Sequence, residues 1–259
     1  MCSLPAGLAA LLCLFGATSA IADSPATVHD LTIAGSKQRL IYLTPPSPRA
    51  TVIMFSGGGG RLDILDDGRP RYGGNFLVRT RTQWLAQGFA VVIPDALDGE
   101  PMLGQRSTVG YAKVIAALVA FAHAQNPAPI FLVGTSQGST AAMNGGAHQP
   151  AGSIKGIVLT ESVTQRNASD ETVFDADPGK VTVPALIVAN SNDGCSVAPP
   201  ADASRIAGSL DHSAKVDILT VSGGTHKGDE CGPFSPHGYY GIEAETIAPI
   251  AQWIDAHSR

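Results

Sequence analysis

The sequence IFLVGTSQGST, residues 130–140, joins an apolar run to a run of small residues around one serine. The apolar letters are typical of a strand buried on both faces, and residues 139–149 are predicted to form a helix. A G-x-S-x-G pattern lies at this junction, with Gly134 and Gly138 on either side of Ser136. A sharp strand-to-helix turn needs small neighbours and exposes the serine hydroxyl, which predicts a nucleophile. The alternative is an ordinary glycine turn with a serine helix cap.

The rest of the chain alternates apolar segments with helical patterns, without an internal repeat. Because the later strands are continuous apolar runs, we predict an α/β fold: a mostly parallel central sheet with helices on both faces. A single domain over residues 23–259 accommodates this pattern. The predicted strands are residues 39–44, 51–55, 90–94, 130–133, 156–160, 185–189 and 216–221. The predicted helices are residues 75–87, 109–125, 139–149 and 244–257.

The Ser136 motif in this context resembles the α/β-hydrolase superfamily, in the minimal form of secreted cutinase-like and dienelactone-hydrolase-like esterases. The resemblance covers most of the chain as strand order, and its specific part is the short serine motif. It implies a serine, an acid and a histidine in that chain order, each in a loop after a strand. It also implies cleavage of a carboxylic ester through an acyl-enzyme, with no cofactor and no metal.

Two acids and two histidines compete for the remaining triad positions that the resemblance implies. Asp193 follows the strand at 185–189 and is the expected acid, with Glu161, after the strand at 156–160, as the alternative. His226 lies five residues beyond the strand at 216–221 and is the expected base. His237, a few residues before the final helix, is the alternative. A serine hydroxyl is a weak nucleophile unless a base activates it and an acid orients that base.

Acyl transfer also needs donors for the developing oxyanion. One is expected to be the backbone N–H of Gln137, directly after the nucleophile. The second is expected from the glycine run 57–60, which resembles the HGGG-type element of the superfamily, although Ser56 replaces the histidine. Gly58 is the predicted donor. The alternative is a flexible surface loop.

The N-terminal segment and the cysteines both point to export. Residues 1–22 are predicted to be a signal peptide, because an apolar core precedes the small-x-small pattern of residues 20–22. A retained membrane anchor is the alternative. Cys195 and Cys231 would then remain as an even pair in an oxidising compartment, which predicts one disulfide rather than two free thiols. That bridge would tie the acid loop to the base loop, as in some cutinase-like esterases. The protein is therefore predicted to be periplasmic or secreted.

Composition excludes several other functions. The formal net charge is -5, only 15% of residues are charged, and no Lys/Arg cluster is present, which argues against a nucleic-acid partner. No segment after the leader is long enough to span a bilayer, so no stable membrane insertion is expected once the leader is removed. His226 and the acidic residues beside it lack metal-ligand spacing, so no metal is predicted.

The predicted substrate class follows from the short connection between the strands at 156–160 and 185–189. About two dozen residues leave no room for a large helical lid, which favours an open site for a small-molecule or an accessible polymeric ester. An exported peptidase or acyltransferase with the same triad is an alternative. A non-catalytic binding protein on the same fold is another, since fold does not determine function.

Overall fold

The computed structural model describes Met1, residues 26–166 and residues 168–259. Apart from Met1, the predicted signal peptide lies outside this part of the chain. In the described residues, eight strands form one sheet in the order β1-β2-β4-β3-β5-β6-β7-β8. The strands are β1 (Thr27–Ile33), β2 (Ser36–Leu43), β3 (Thr51–Phe55), β4 (Ala90–Pro94), β5 (Ile130–Thr135), β6 (Gly156–Thr160), β7 (Ala185–Asn190) and β8 (Val216–Val221).

The sheet is parallel from β4 to β8, while β1 and β2 are antiparallel to their neighbours. The carboxyl ends of β3, β5, β6 and β7 therefore meet at one edge. The register pairs Phe55 with Gly134, and Thr160 with both Thr135 and Val188. In open α/β sheets, ligands bind outside this edge.

Helices cover both faces of the sheet, as the sequence predicts, and each face buries its own apolar cluster. One layer contains α3, α4 and α5, with Ile115, Met143 and Ile206 in its core. The other contains α1, α2 and α6, with Trp84 and Ile250 in its core. The helices are α1 (Phe76–Arg79), α2 (Arg81–Ala86), α3 (Val109–Gln125), α4 (Gln137–His148), α5 (Ala203–Gly208) and α6 (Glu243–Ala256).

The helix that follows the serine motif is buried over most of its length. Every residue from Gln137 to Gly146 is buried. A Cβ at Gly145 would overlap the side chain of Leu132 on β5. The small residues of α4 therefore let this helix approach the sheet closely, which fixes the start of α4 against the edge where the strands end.

Three elements differ from the sequence prediction. Strand β1 was not predicted, because its side chains alternate between half-buried and exposed at an antiparallel edge and form no continuous apolar run. The predicted helix over residues 75–87 is two helices, divided at Thr80, where the Thr80 hydroxyl donates to the carbonyl of Phe76. Helix α5 is too short to give a clear period.

Between β6 and β7, the described residues contain only two single-turn 3₁₀ segments, Val173–Asp175 and Pro178–Lys180. No large lid is present in this part of the chain, as the short spacing predicts. Within the described ranges, no helix is both long enough and apolar enough to cross a membrane.

Candidate active site

Ser136 lies between β5 and α4 in a conformation that non-glycine residues rarely adopt, with φ 54° and ψ −125°. A Cβ at Gly138 would overlap the carbonyl oxygen of Phe55, and one at Gly134 would overlap the backbone of Gly138. The turn is therefore tight enough to demand both glycines of the motif. Backbone strain of this kind persists where the surrounding structure enforces it, and it commonly marks functional sites. Ser136 is half-buried and lines a pocket.

His237 contacts Asp193 below that pocket. Its Nδ1 lies 2.7 Å from Oδ2 of Asp193, and the two side chains are 4% and 0% exposed. With Nδ1–H donating to the carboxylate, Nε2 carries the lone pair. Nε2 is buried and makes no hydrogen bond to any described residue. Because His237 and Ser136 line the same pocket, this ring nitrogen is suited to act on the serine.

The expected placement of His226 is corrected by the structure. Its side chain is 45% exposed, and its Nε2 lies 3.8 Å from Oε1 of Glu230, whereas Asp193 is bonded by His237. The N–H of Thr225 donates to the carbonyl of Tyr240, so the loop after β8 folds back along the segment before α6. A count of residues from the strand end could not predict this path. His237, the alternative base, takes the position beside the acid.

Local hydrogen bonds hold His237 in a single 3₁₀ turn, Pro236–Gly238. The Ser235 hydroxyl accepts the N–H of His237 at 3.2 Å and donates to the carbonyls of Glu230 and Gly232. A Cβ at Gly238 would overlap the backbone of Pro233. The sequence signal for the placement of His237 is therefore the compact S-P-H-G turn rather than its distance from a strand.

The predicted disulfide between Cys195 and Cys231 is confirmed, with a Cα–Cα distance of 4.6 Å. The N–H of Cys195 donates to Oδ1 of Asp193 at 2.8 Å. Cys231 lines the pocket beside His237. The bridge therefore joins the acid loop to the loop that carries the histidine.

Glu161, the alternative acid, lies next to Asp193 rather than replacing it. Its side chain is buried, and its Oε1 accepts the N–H of Asn190 at 2.7 Å. Burial, together with the neighbouring Asp193, raises the pKa of Glu161 well above its ordinary value. Asp193, which bonds His237, therefore carries the negative charge of this carboxyl pair.

The same three side chains form a cluster of potential metal ligands. Glu161, Asp193 and His237 each offer a ligand atom, and these atoms lie within 4.8 Å of one another. Nδ1 of His237 and Oδ2 of Asp193 are bonded to each other, and the cluster is buried. We therefore assign none of the three as a metal ligand.

The glycine run after β3 lies against the nucleophile. A Cβ at Gly57 would come within 3.0 Å of the Cβ of Ser136, so only glycine fits there without displacement. Gly58 has φ 57° and lines the pocket. The N–H groups of Gly57 and Gly58 donate to no described residue, so they remain available to a ligand.

Arg106, which the sequence analysis did not identify, supports this run from behind. Its guanidinium donates to the carbonyls of Ser56 at 3.1 Å and Gly58 at 2.6 Å. Arg106 is only 3% exposed; burial lowers its pKa, whereas the nearby Glu171 favours the charged form. With both carbonyls bound by a buried cation, the run is a held loop rather than a flexible one.

The pocket above Ser136 has a volume of about 210 Å³ and opens to solvent. Its walls combine backbone polar groups with a few apolar side chains, which is typical of small-ligand sites. The lining residues are Gly57, Gly58, Asn75, Phe76, Thr135, Ser136, Cys231, Pro233, His237 and Gly238.

No protein-family model and no curated protein sequence matches this chain. Solved structures do match it. An esterase from Pyrococcus furiosus aligns with a TM-score of 0.64 and 11% identity, over 90% of this chain and 92% of that chain. A cold-adapted esterase from an Arctic intertidal metagenomic library gives 0.62 and 15%, over 90% and 93%. Dienelactone hydrolase from Anabaena variabilis gives 0.60 and 13%, over 90% and 98%.

These neighbours share the α/β-hydrolase fold. The chain therefore has the α/β-hydrolase fold, as the serine motif and the strand order predict. At these identities the likeness shows the fold alone, so the chemistry must be argued from the site's own residues.

Proposed function

We propose that this protein is a serine hydrolase that cleaves carboxylic esters with Ser136 as nucleophile, His237 as base and Asp193 as acid. The observation that supports it most is the 2.7 Å contact between His237 and Asp193 in the pocket lined by the strained Ser136. Solved structures of the same fold include esterases, which agrees with this reaction class.

The reaction proceeds in two halves. Nε2 of His237 takes the Ser136 proton as Oγ attacks the ester carbonyl carbon, and Asp193 stabilises the imidazolium. The tetrahedral intermediate collapses, the alkoxide leaves with the proton from His237, and an acyl-serine remains. A water molecule, deprotonated by Nε2, then attacks the acyl carbon. His237 returns the proton to Ser136 as the carboxylic acid departs.

Two backbone groups are the proposed oxyanion donors: the N–H of Gln137, at the start of α4, and the N–H of Gly58. The first follows the nucleophile and gains from the positive end of the helix. The second lies in the run held by Arg106, so the donor is in place before the oxyanion forms. Such preorganisation is worth about 10²-fold or more in rate per donor.

The pocket favours a compact acyl group or an accessible polymer chain. Its volume of about 210 Å³ and the absence of a large lid in the described residues leave the serine open to solvent. A long buried lipid chain would need a covered tunnel that these residues do not form. Peptide cleavage and acyl transfer to an alcohol use the same triad and are separated by products.

Export is part of the proposal. A disulfide between Cys195 and Cys231 persists in an oxidising compartment, and it agrees with the signal peptide predicted for residues 1–22. Edman sequencing of protein recovered from the periplasm or medium tests this, and an intact Met1 there would contradict it.

The test is hydrolysis of p-nitrophenyl esters from acetate to long chains, with Ser136→Ala as control. A fluorophosphonate probe with peptide mass spectrometry locates the reacting residue. We expect short esters to be cleaved and the label on Ser136, and both signals to vanish in Ser136→Ala. No hydrolysis and no label would refute the proposal and favour a binding protein. A label without ester hydrolysis would direct the search to peptides or acyl acceptors.

A further inference from the structure

Glu161 lies beside the proposed triad but has no step of its own in the proposed reaction. It directly follows β6 and has φ 41°, an unusual conformation for a residue with a side chain. That backbone carries a carboxyl group into the interior with 2% exposure, outside the substrate pocket. A strained, buried, ionisable side chain is retained where its position has a use.

Among the residues that the structure describes, no Lys or Arg side chain pairs with this carboxyl group. The titratable side chains that interact with it are Asp193, on the loop after β7, and Tyr239, before α6; His237 completes the cluster. The Tyr239 hydroxyl donates to the carbonyl of Val188 at 3.2 Å. Burial and the nearby carboxyl groups raise the Tyr239 pKa well above its ordinary value, so this side chain is neutral as well.

The hydrogen bonds around Glu161 place its proton. Oε1 accepts the Asn190 N–H, while Oε2 is buried and accepts no hydrogen bond from the described residues. A carboxylate oxygen of Asp193 lies within 4.8 Å of one of Glu161 in the same buried cluster. Two adjacent buried carboxyl groups do not both ionise, and a proton between them gives an O–H donor and satisfies both.

We propose that Glu161 is a positioning residue which, as a neutral carboxylic acid, donates its O–H to the Asp193 carboxylate and thereby sets the charge that Asp193 presents to His237. This inference rests on the proposed hydrolase function. The proton stays on Glu161 throughout turnover, so the residue transfers nothing and does not touch the substrate.

The direction of the effect follows from charge. A hydrogen bond from Glu161 draws negative charge away from the oxygen that holds His237, so the imidazolium is less stabilised. Without that donor, the imidazolium of His237 is better stabilised by Asp193, and the acid limb of the pH profile moves to higher pH. If Glu161 loses its proton at alkaline pH, a second negative charge enters the cluster and activity changes there.

The matched variants are Glu161→Gln, which keeps a donor of the same shape, and Glu161→Ala, which removes it. For Gln we expect kcat within about threefold of wild type, an unmoved acid limb and no alkaline change due to residue 161. For Ala we expect the acid limb to rise by about one pH unit and KM to change less than about twofold. Equal losses in both variants with unmoved pH profiles would overturn the proposal. Unfolding midpoints confirm that each variant is folded.

A second readout does not need turnover. The infrared spectrum of wild type minus Glu161→Gln at neutral pH should show the carbonyl stretch of a protonated carboxylic acid. Absence of that band would overturn the proposal even if esters are cleaved. A band in a protein that hydrolyses no ester would support the proton's placement and refute the hydrolase function separately.

Discussion

Nδ1 of His237 and Oδ2 of Asp193 lie 2.7 Å apart although 44 residues separate them in the chain. The disulfide between Cys195 and Cys231 spans 36 of the residues in the same segment. The bridge begins two residues after the acid and ends six before the histidine, so it shortens the effective loop between the pair. The acid–base contact is therefore enforced by a covalent link in the adjacent backbone.

His237→Ala and His226→Ala form a matched pair of histidine substitutions. We expect His237→Ala to lower kcat/KM for a short ester by roughly 10³-fold or more, because the general base is lost. His226→Ala should stay within about threefold, since that side chain is 45% exposed and Asp193 is bonded by His237 instead. Steady-state rates at neutral pH decide between them. A large loss confined to His226→Ala would show that the loop rearranges on substrate binding.

The strained turn at Ser136 could be predicted from the sequence, because the G-x-S-x-G motif lies where a predicted strand meets a predicted helix. Gly134 is required by the backbone of Gly138 within the same turn, whereas Gly138 is required by the carbonyl of Phe55 at the end of β3. The base could not be predicted uniquely. Its position depends on how the segment after β8 folds back and on the hydrogen bonds of Ser235. Neither feature corresponds to a fixed number of residues in the sequence.

Side-chain contacts between residues far apart in the chain could not be predicted from the sequence either. Glu161 meets Asp193 because β6 and β7 are adjacent and in register at Thr160 and Val188. Arg106 reaches the glycine run from the loop before α3, 48 residues away in the case of Gly58. Predicted strands identify the edge on which such residues converge, while side-chain partners depend on packing that only coordinates specify.

Removing the disulfide should affect stability and rate together. For Cys195→Ala with Cys231→Ala, we expect the free energy of unfolding to fall by about 3–4 kcal/mol, from the entropy of a 36-residue loop. We also expect kcat to fall, because a loosened loop would disturb the hydrogen bond from the Cys195 amide to Asp193. Urea unfolding and ester assays with and without reductant measure both effects. Reductant should affect wild type and leave the double variant unchanged; an effect on both would contradict this explanation.

Gly57→Ala tests the close approach of the glycine run to the nucleophile. The added Cβ would lie 3.0 Å from Ser136 Cβ and 3.2 Å from the Asn75 side chain. We expect kcat to fall by about tenfold or more with a small change in unfolding free energy, because a misplaced oxyanion donor costs rate. Gly208→Ala is the control, since a Cβ there meets nothing within 4 Å. Equal rates in both variants would refute a role for this contact.

Substituting Arg106 tests the support behind the same run. Arg106→Lys keeps the charge but cannot donate as a planar fork to two carbonyls, so we expect kcat to fall more than KM changes. Arg106→Met should also destabilise the fold by about 1–3 kcal/mol, because the buried carbonyls of Ser56 and Gly58 lose their donor. Rates and urea midpoints separate the two effects. A Lys variant with wild-type kcat would show that charge alone suffices.

The raised pKa of Glu161 predicts how stability varies with pH. A carboxyl group with a folded-state pKa above its unfolded value stabilises the fold fully below the unfolded pKa. It loses that contribution as the pH rises through the folded pKa. Above the ordinary pKa of 4.5, ionisation of this group in the unfolded chain should therefore lower the unfolding free energy by up to about 1.4 kcal/mol per pH unit, until it ionises in the folded state as well.

Other carboxyl groups act in the opposite sense. Lys180 lowers the pKa of Asp177. Asp177 therefore stabilises the fold at pH values above its ordinary pKa and loses that contribution as the pH falls. The comparison that isolates residue 161 is urea unfolding of wild type against Glu161→Gln at several pH values. The unfolding free energy of wild type minus that of Glu161→Gln should decrease as the pH rises, or change sign so that the Gln variant is the more stable. A difference that stays constant over the whole range would mean that Glu161 ionises alike in the folded and unfolded chains.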